Sequence, residues 1–327
     1  MTQYALRRVL LILPVMAGIS LLVFVLVYLI PGDAAQMLLG ADATPDELIR
    51  IRHLLGLDRP VFDQYLTYMG NLLRLDLGRS LNQDVPVAQL VLGALPATIE
   101  LAVSAMVIAL VLGLPLGLLA ATKKGSLLDM GSVVFAQIGV SMPAFWLASL
   151  LIIAFALELH WFATVGRGPS IPSALAALIS GDGEPLGATL RHLVLPSFTL
   201  GLSAAALSMR MVRSTMLEVL QQDYIRTARA KGLASRVVTI RHALRNALLP
   251  VITIVGLQFG ALLGGAIVTE SIFAWPGVGR LAITAISQRD IPVIQGTVLT
   301  LAVTFSVINL LVDLSYAWVN PKIRFNK

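Results

Sequence analysis

Six long apolar runs separated by polar stretches organise this chain. They cover Val9–Ile30, Ala97–Thr122, Met130–Leu157, Leu193–Met209, Leu249–Glu270 and Val293–Val319. A membrane-spanning helix needs about 20 mainly apolar residues. The pattern therefore predicts an all-α membrane protein with six transmembrane helices. The first run follows Arg7-Arg8 and ends at Pro31-Gly32-Asp33. The apolar core of a cleavable leader is about 7–15 residues long, so this longer run reads as a retained helix. Pro143 inside the third run and Pro196 at the start of the fourth predict kinks.

The polar stretches divide the chain further. Residues 1–30 form an N-terminal span and 31–96 a polar insert broken by Pro45, Pro60 and Pro86. A five-helix core covers 97–320 and contains the loop 210–248, and 321–327 form a tail. In the insert, Thr44 is placed to cap a short helix that starts at Pro45, because proline suits the first helical position. The insert reads as a small helical elaboration.

Charge orients the array. Of the 24 Lys and Arg residues, those on one side are Arg7, Arg8, Lys123, Lys124, the bases of the 210–248 loop, Lys322, Arg324 and Lys327. They outnumber the bases on the other side by 15 to 9. Lys and Arg accumulate on the cytoplasmic side. Both termini and the 210–248 loop are thus expected in the cytoplasm of a bacterial inner-membrane protein, with the insert outside. Composition agrees: 57% of residues are hydrophobic and 13% charged, against about 45–50% and about 25% in soluble domains. The net charge of +6 falls between apolar runs rather than in a patch interleaved with aromatics, which argues against nucleic acid as a partner.

Catalytic patterns do not accompany this framework. No Lys precedes a Ser or Thr, so the phosphate-binding GxxxxGK[ST] loop is missing. His53, His160, His192 and His242 are scattered, no HExxH or GxSxG occurs, and there is no cysteine. The chain is expected to be non-catalytic, with no metal site and no cofactor of its own. A self-sufficient secondary transporter would want carboxylates near the membrane midplane. The two singled out in the apolar runs, Glu270 and Asp313, lie near run ends.

The most informative stretch is Glu218 to Pro250. Leu217, Leu220, Tyr224 and Ala228 share one helical face, with acids early and bases late, as the helix dipole prefers. Gly232 is placed to close that helix in a left-handed conformation. Ser235 is placed to cap a second helix with Val237, Ile240, Leu244 and Leu248 on its apolar face. Two short amphipathic helices with a sharp turn could lie on anionic lipid or transmit force from a docked partner.

Asp223-Tyr224-Ile225-Arg226-Thr227-Ala228-Arg229-Ala230-Lys231-Gly232, followed by His242-Ala243-Leu244-Arg245-Asn246-Ala247-Leu248-Leu249-Pro250, resembles the EAA loop of binding-protein-dependent ABC permeases. Arg226 and Thr227 replace the Glu and first Ala of the general pattern, and Ala228 and Gly232 match it. The departures are those of the peptide/nickel branch, nearest to the B-type subunits of dipeptide permeases. Leu29-Ile30-Pro31-Gly32-Asp33, Leu54-Leu55-Gly56-Leu57-Asp58, Asp76-Leu77-Gly78, Trp275-Pro276-Gly277-Val278-Gly279-Arg280, Arg289-Asp290-Ile291-Pro292 and Val319-Asn320-Pro321 are similar to that branch in the same order.

The resemblance implies that Asp223, Tyr224, Arg226, Thr227, Ala228, Arg229, Ala230, Lys231 and Gly232 form an ATPase-coupling helix. It implies a homologous second permease, two ATP-binding subunits that hold ATP and Mg, an extracytoplasmic solute-binding protein and surrounding membrane lipid. It implies inward transport by alternating access. Dipeptides and short oligopeptides are the expected cargo, with glutathione or nickel chelates as the alternatives. Met142, Trp146, Met209 and Gln258 are the candidates to line the path, methionine because its side chain adapts to varied shapes.

Overall fold

The computed structural model describes residues 2–29, 44–54 and 56–319. The motif residues Pro31-Gly32-Asp33, Leu55 and Asn320-Pro321, the 321–327 tail and the side chain of Asp313 lie outside that description.

Helices make up nearly all of it. They are α1 (Thr2–Leu29), α2 (Pro45–Leu54), α3 (Val61–Leu73), α4 (Val87–Thr122), α5 (Leu127–Ser141), α6 (Ala144–Leu151), α7 (Ile171–Ile179) and α8 (Glu184–Leu220). Then come α9 (Asp223–Ala230), α10 (Ser235–Val237), α11 (Arg245–Ile272), α12 (Val278–Ser287) and α13 (Ile291–Val319). π-helical turns extend α6 through Ile152–Glu158 and join α10 to α11 through Val238–Leu244.

Among the described residues, four helical stretches are long and apolar enough to cross a membrane: Val87–Thr122, Glu184–Leu220, Pro250–Ile272 and Ile291–Val312. The α5–α6 pair adds one broken span, and α1 carries the shorter apolar stretch Leu10–Val25. Apolar helices thus occur at all six predicted places, with two corrections to their shape. Helices α4 and α8 start about ten residues before the apolar runs do. The third run is two helices bent by 107°, not one kinked helix. Met142 takes an extended conformation before Pro143, the preference that a following proline imposes. Pro196, expected at the opening of a span, lies well inside α8.

The chain forms two compact units. One comprises residues 97–276 and the chain from 307. Its core joins Ala97, Leu101 and Ala105 of α4, Leu193, Leu200 and Ala204 of α8, Leu262 and Ala266 of α11, and Trp275. Helices α4 and α8 run side by side so closely that a Cβ on Gly201 would lie 2.5 Å from the Ala105 oxygen, and one on Gly117 2.6 Å from the Met209 oxygen. Small residues permit that approach, a common device between helices in lipid. Helix α11 packs antiparallel to α8, with Gln258 beside Ser208 and Gly265 beside Leu200.

The other unit comprises residues 2–96 and 277–306. Its core is Val87, Val91, Val278, Ala285 and Val293. The predicted insert helices are present. Thr44 caps α2 in a reciprocal box: its hydroxyl accepts from Glu47 N at 3.4 Å, and the Glu47 carboxylate accepts from Thr44 N at 3.0 Å. The Thr44 hydroxyl, which donates to the Glu47 carboxylate at 2.7 Å, and then the Thr44 N–H hold that carboxyl below the ordinary carboxylate range. Buried Asp290 accepts from Ser80 Oγ and from Leu81 N, and Arg289 before it adopts φ 55°. The Arg289-Asp290 motif therefore clamps residues 80–82 to the start of α13.

Candidate functional site

The 210–248 region forms a knuckle built from its buried face outward. Helix α8 ends at Leu220, Gln222 is extended, and α9 begins at Asp223. Ile225 and Ala228 of α9 pack with Val212 and Met216 of α8 and with Val238, Ala243, Ala247 and Val251 beyond the turn. Gly232 closes the turn at φ 76°, its N–H donating to the Arg229 oxygen at 2.9 Å. This is the predicted glycine-terminated end. Asp223 occupies the first turn and Arg229 the last, as the dipole favours.

Three sequence expectations change here. The face Leu217, Leu220, Tyr224, Ala228 does not belong to one helix, because the chain breaks between Leu220 and Asp223. Tyr224 is 43% exposed, and the buried position is Ile225, which the spacing missed. Ser235 does not cap: the N-cap is Ala234, and no side-chain cap bond forms. The second helix is no separate amphipathic piece but runs through a π turn into α11. That turn shifts the register, so Val238, Ala243, Ala247 and Val251 are buried while Val237 and Ile240 are exposed. The spacing of five between Val238 and Ala243 is a π-helical step, invisible to a 3.6-residue template.

Asp223, Tyr224, Arg226, Thr227, Arg229, Ala230, Lys231 and Gly232 are all exposed, and Ala228 faces the core. Arg226, Arg229, Lys231, Arg236, Arg241 and Arg245 are exposed against Glu218 and Asp223, which makes the surface basic. Local bonds stiffen it. Asn246 Nδ2 donates to Tyr224 Oη at 2.9 Å, tying α9 to α11, and Thr227 Oγ1 donates to the Asp223 oxygen at 3.0 Å. The knuckle is thus a rigid, basic, outward-facing ridge on a dry base.

The four path candidates are not brought together. Met142 and Trp146, on either side of the break at Pro143, line one open groove of ≈ 480 Å³ with Ile138, Ser141, Pro143 and Phe145. Met209 is 0% exposed, packed among Ala136, Ala206 and Leu116. Its adaptable side chain fills a gap between helices. Gln258 lines a second groove, of ≈ 460 Å³, with Leu207, Arg210, Met211, Ile254, Leu257 and Ala261.

Charged groups are paired inside the first unit, among them Glu100 and Arg167, which no sequence motif marks, and Glu270, which the apolar run already marked. Glu100 receives Arg167 Nε at 2.9 Å and Ile171 N at 2.7 Å, and Arg167 lies 5.8 Å from the Trp275 ring centroid. Trp275 Nε1 donates to the Ala97 oxygen at 2.8 Å, and Thr98 Oγ1 donates to fully buried Glu270 at 2.7 Å. The signal was available: Glu100 lies inside the second apolar run, where a carboxylate is rare and needs a partner.

Residues 113–325 match the family described as binding-protein-dependent transport system inner membrane component, and residues 1–102 match its N-terminal region. The chain is 45% identical over 333 residues to the dipeptide transport system permease protein DppB of Alkalihalophilus pseudofirmus, covering 99% of this chain and 100% of the relative. It is 45% identical to DppB of Escherichia coli strain K12 over the full length of both. With the di/tripeptide transport system permease protein DppB of Pseudomonas aeruginosa the identity is 43%, again over both full lengths. Among solved structures, a chain of the MetNI methionine ABC transporter aligns with TM-score 0.53 at 17% identity, covering 71% of this chain and 97% of that one. That likeness concerns the fold.

Proposed function

The chain belongs to the family of binding-protein-dependent transport system inner membrane components, and we propose that it is one permease subunit of an ABC importer for dipeptides and short oligopeptides. The observation that carries this reading is the exposed α9 knuckle, a stiff ridge resting on a packed base between two long apolar helices. A ridge so built can pass a push from a docked ATPase into α8 and α11 without absorbing it. The full-length identity to dipeptide permeases supports the cargo class.

In this mechanism two ATP-binding subunits hold and hydrolyse ATP, and their closure moves the knuckles of this chain and of a homologous second permease. The spans then switch the shared cavity between inward- and outward-facing states, a two-state change biased by nucleotide. A solute-binding protein delivers cargo from outside, and both termini and the knuckle lie in the cytoplasm. A zwitterionic peptide carries two charges, each costing several kcal/mol to desolvate even after relaxation. Its path must be wet and walled by protein, and the second permease supplies the other wall.

Reconstitution tests the reading. This chain alone in liposomes is expected to take up no dipeptide. Adding the second permease, the ATPases, ATP and the binding protein is expected to restore uptake. Proton-driven uptake by the lone chain would replace this reading with a secondary transporter.

A further inference from the structure

We propose that the groove between α8 and α11 is a transit site for the terminal carboxylate and backbone carbonyl of a short peptide, gripped by Arg210 and Gln258. The inference rests on the peptide-importer reading above and adds to it where this chain holds its cargo.

Two independent features converge on the groove. Arg210 immediately follows the apolar run Leu193–Met209, and it lines the groove. The next arginine, Arg213, is committed to Asp129 in a two-point ion pair. Arg210 is exposed and, among the described residues, has no hydrogen bond or ion pair. A guanidinium at the edge of an apolar stretch, with no internal carboxylate, is a site for an external anion. Its planar fork suits a carboxylate best.

Gln258 supplies the second feature. It is 7% exposed, its Oε1 accepts from Ser208 Oγ at 3.3 Å, and its Nε2 is buried without a partner. Buried amide donors are nearly always satisfied, and one left unmade is a standing cost that a ligand oxygen would remove. The pair Ser208–Gln258 lies on the two helices that carry the knuckle at their ends, so a peptide held there touches both elements that the knuckle joins.

The remaining wall fits a cargo of variable side chains. Leu207, Met211, Ile254 and Leu257 are apolar, and Met211 can reshape. The volume of ≈ 460 Å³ lies within the range of about 300–1,000 Å³ typical of small-ligand clefts. Arg210 and Gln258 would read what every peptide shares, a carboxylate and a carbonyl, while the apolar wall tolerates what differs.

The test uses the complete transporter in proteoliposomes, supplied with a dipeptide and, separately, with its C-terminal amide. The unsubstituted complex must import the dipeptide; if it does not, the importer reading falls and this site with it. Because the binding protein is unchanged, any change in the dipeptide-to-amide ratio belongs to this chain. Arg210→Gln is expected to lower dipeptide uptake about 10- to 100-fold, the weight of a charge-assisted hydrogen bond, while amide uptake changes little. Arg210→Lys, which keeps the charge but loses the planar fork, is expected to fall between the two, with dipeptide uptake above that of Arg210→Gln and below that of the unsubstituted complex. Equal losses for both substrates, or none, would overturn the proposal. So would an Arg210→Gln defect reproduced in the unsubstituted complex by replacing phosphatidylglycerol with phosphatidylcholine, which would assign the arginine to an anionic lipid headgroup.

A second measurement does not depend on turnover. Leu257 is 63% exposed in the groove of a chain with no cysteine. Alkylation of Leu257→Cys in the complete transporter is expected to slow when the dipeptide, but not its amide, is supplied, and to lose that protection with Arg210→Gln. Labelling indifferent to the dipeptide would also sink the site.

Discussion

Arg213 Nε lies 2.6 Å from Asp129 Oδ1, with a second contact of 3.0 Å from the guanidinium to Oδ2, and this pair ties α8 to the first turn of α5. Asp129 also accepts from Gly125 N at 3.0 Å, so one carboxylate fixes both the turn before α5 and its packing on α8. Removing Arg213 leaves the buried Asp129 carboxylate uncompensated, removing Asp129 leaves the half-buried Arg213 guanidinium so, and removing both leaves neither. Arg213→Ala and Asp129→Ala are each expected to lower the thermal midpoint of the purified complex. The double variant is expected to be no worse than the poorer single one. A double variant whose loss equals the sum of the singles would show that the two side chains are not coupled.

Gly232 gives a sharper expectation because space and conformation separate there. A Cβ on Gly232 would meet nothing within 4 Å, but the residue sits at φ 76°. The cost of substitution is therefore conformational, about 1–2 kcal/mol for a left-handed non-glycine residue, and not a clash. Asparagine, which tolerates this region, is expected to be milder than alanine, and β-branched valine the most damaging. Substrate-stimulated ATPase activity should fall in that order while membrane insertion is retained. A valine variant with normal coupling would show that the turn does not transmit the stroke.

How much of this was legible in the sequence depends on what each feature needs. Apolar runs announce spanning helices because lipid imposes one rule on every residue; four runs hold helices long enough to cross, the third holds a bent pair and the first a shorter apolar stretch. The Thr44 cap and the Gly232 turn were also readable, since each depends on a few adjacent residues. The burial of Ile225 was not, because the break between Leu220 and Asp223 resets the helical register. Asp129 and Arg213 are 84 residues apart. No spacing rule connects them, and only the contact of α5 with α8 does. Met209 shows the converse. Its residue type suggested an adaptable wall, yet packing against Ala136 and Ala206 uses the same adaptability to fill a gap.

Orientation follows from charge. With 15 basic residues assigned to one side and 9 to the other, a reporter fused at residue 60 is expected outside and one fused at residue 230 inside. The exposed bases of the knuckle contribute Arg226, Arg229, Lys231, Arg236, Arg241 and Arg245 to the larger count. Replacing those six by glutamine should weaken the preference without removing any span. Reporters found on the same side would refute the six-span topology.

Cysteine scanning separates lining from packing among the original path candidates, and the absence of native cysteine makes each introduced thiol unique in this chain. Met142 and Trp146 line an open groove beside the 107° break, and Trp146 is 48% exposed. Met142→Cys and Trp146→Cys are expected to react with a water-soluble maleimide in at least one nucleotide state. Lipid filling the groove would instead protect both thiols from the water-soluble reagent and leave them open to a membrane-permeant one. Met209→Cys is expected to resist both reagents, because Ala136, Ala206 and Leu116 cover the position. It should also destabilise the complex, since shortening a fully buried methionine leaves a void at a cost of about 2–5 kcal/mol for the extreme case of alanine. Rapid labelling of Met209→Cys in a folded complex would mean that α5 and α8 part during transport, and would return this residue to the path.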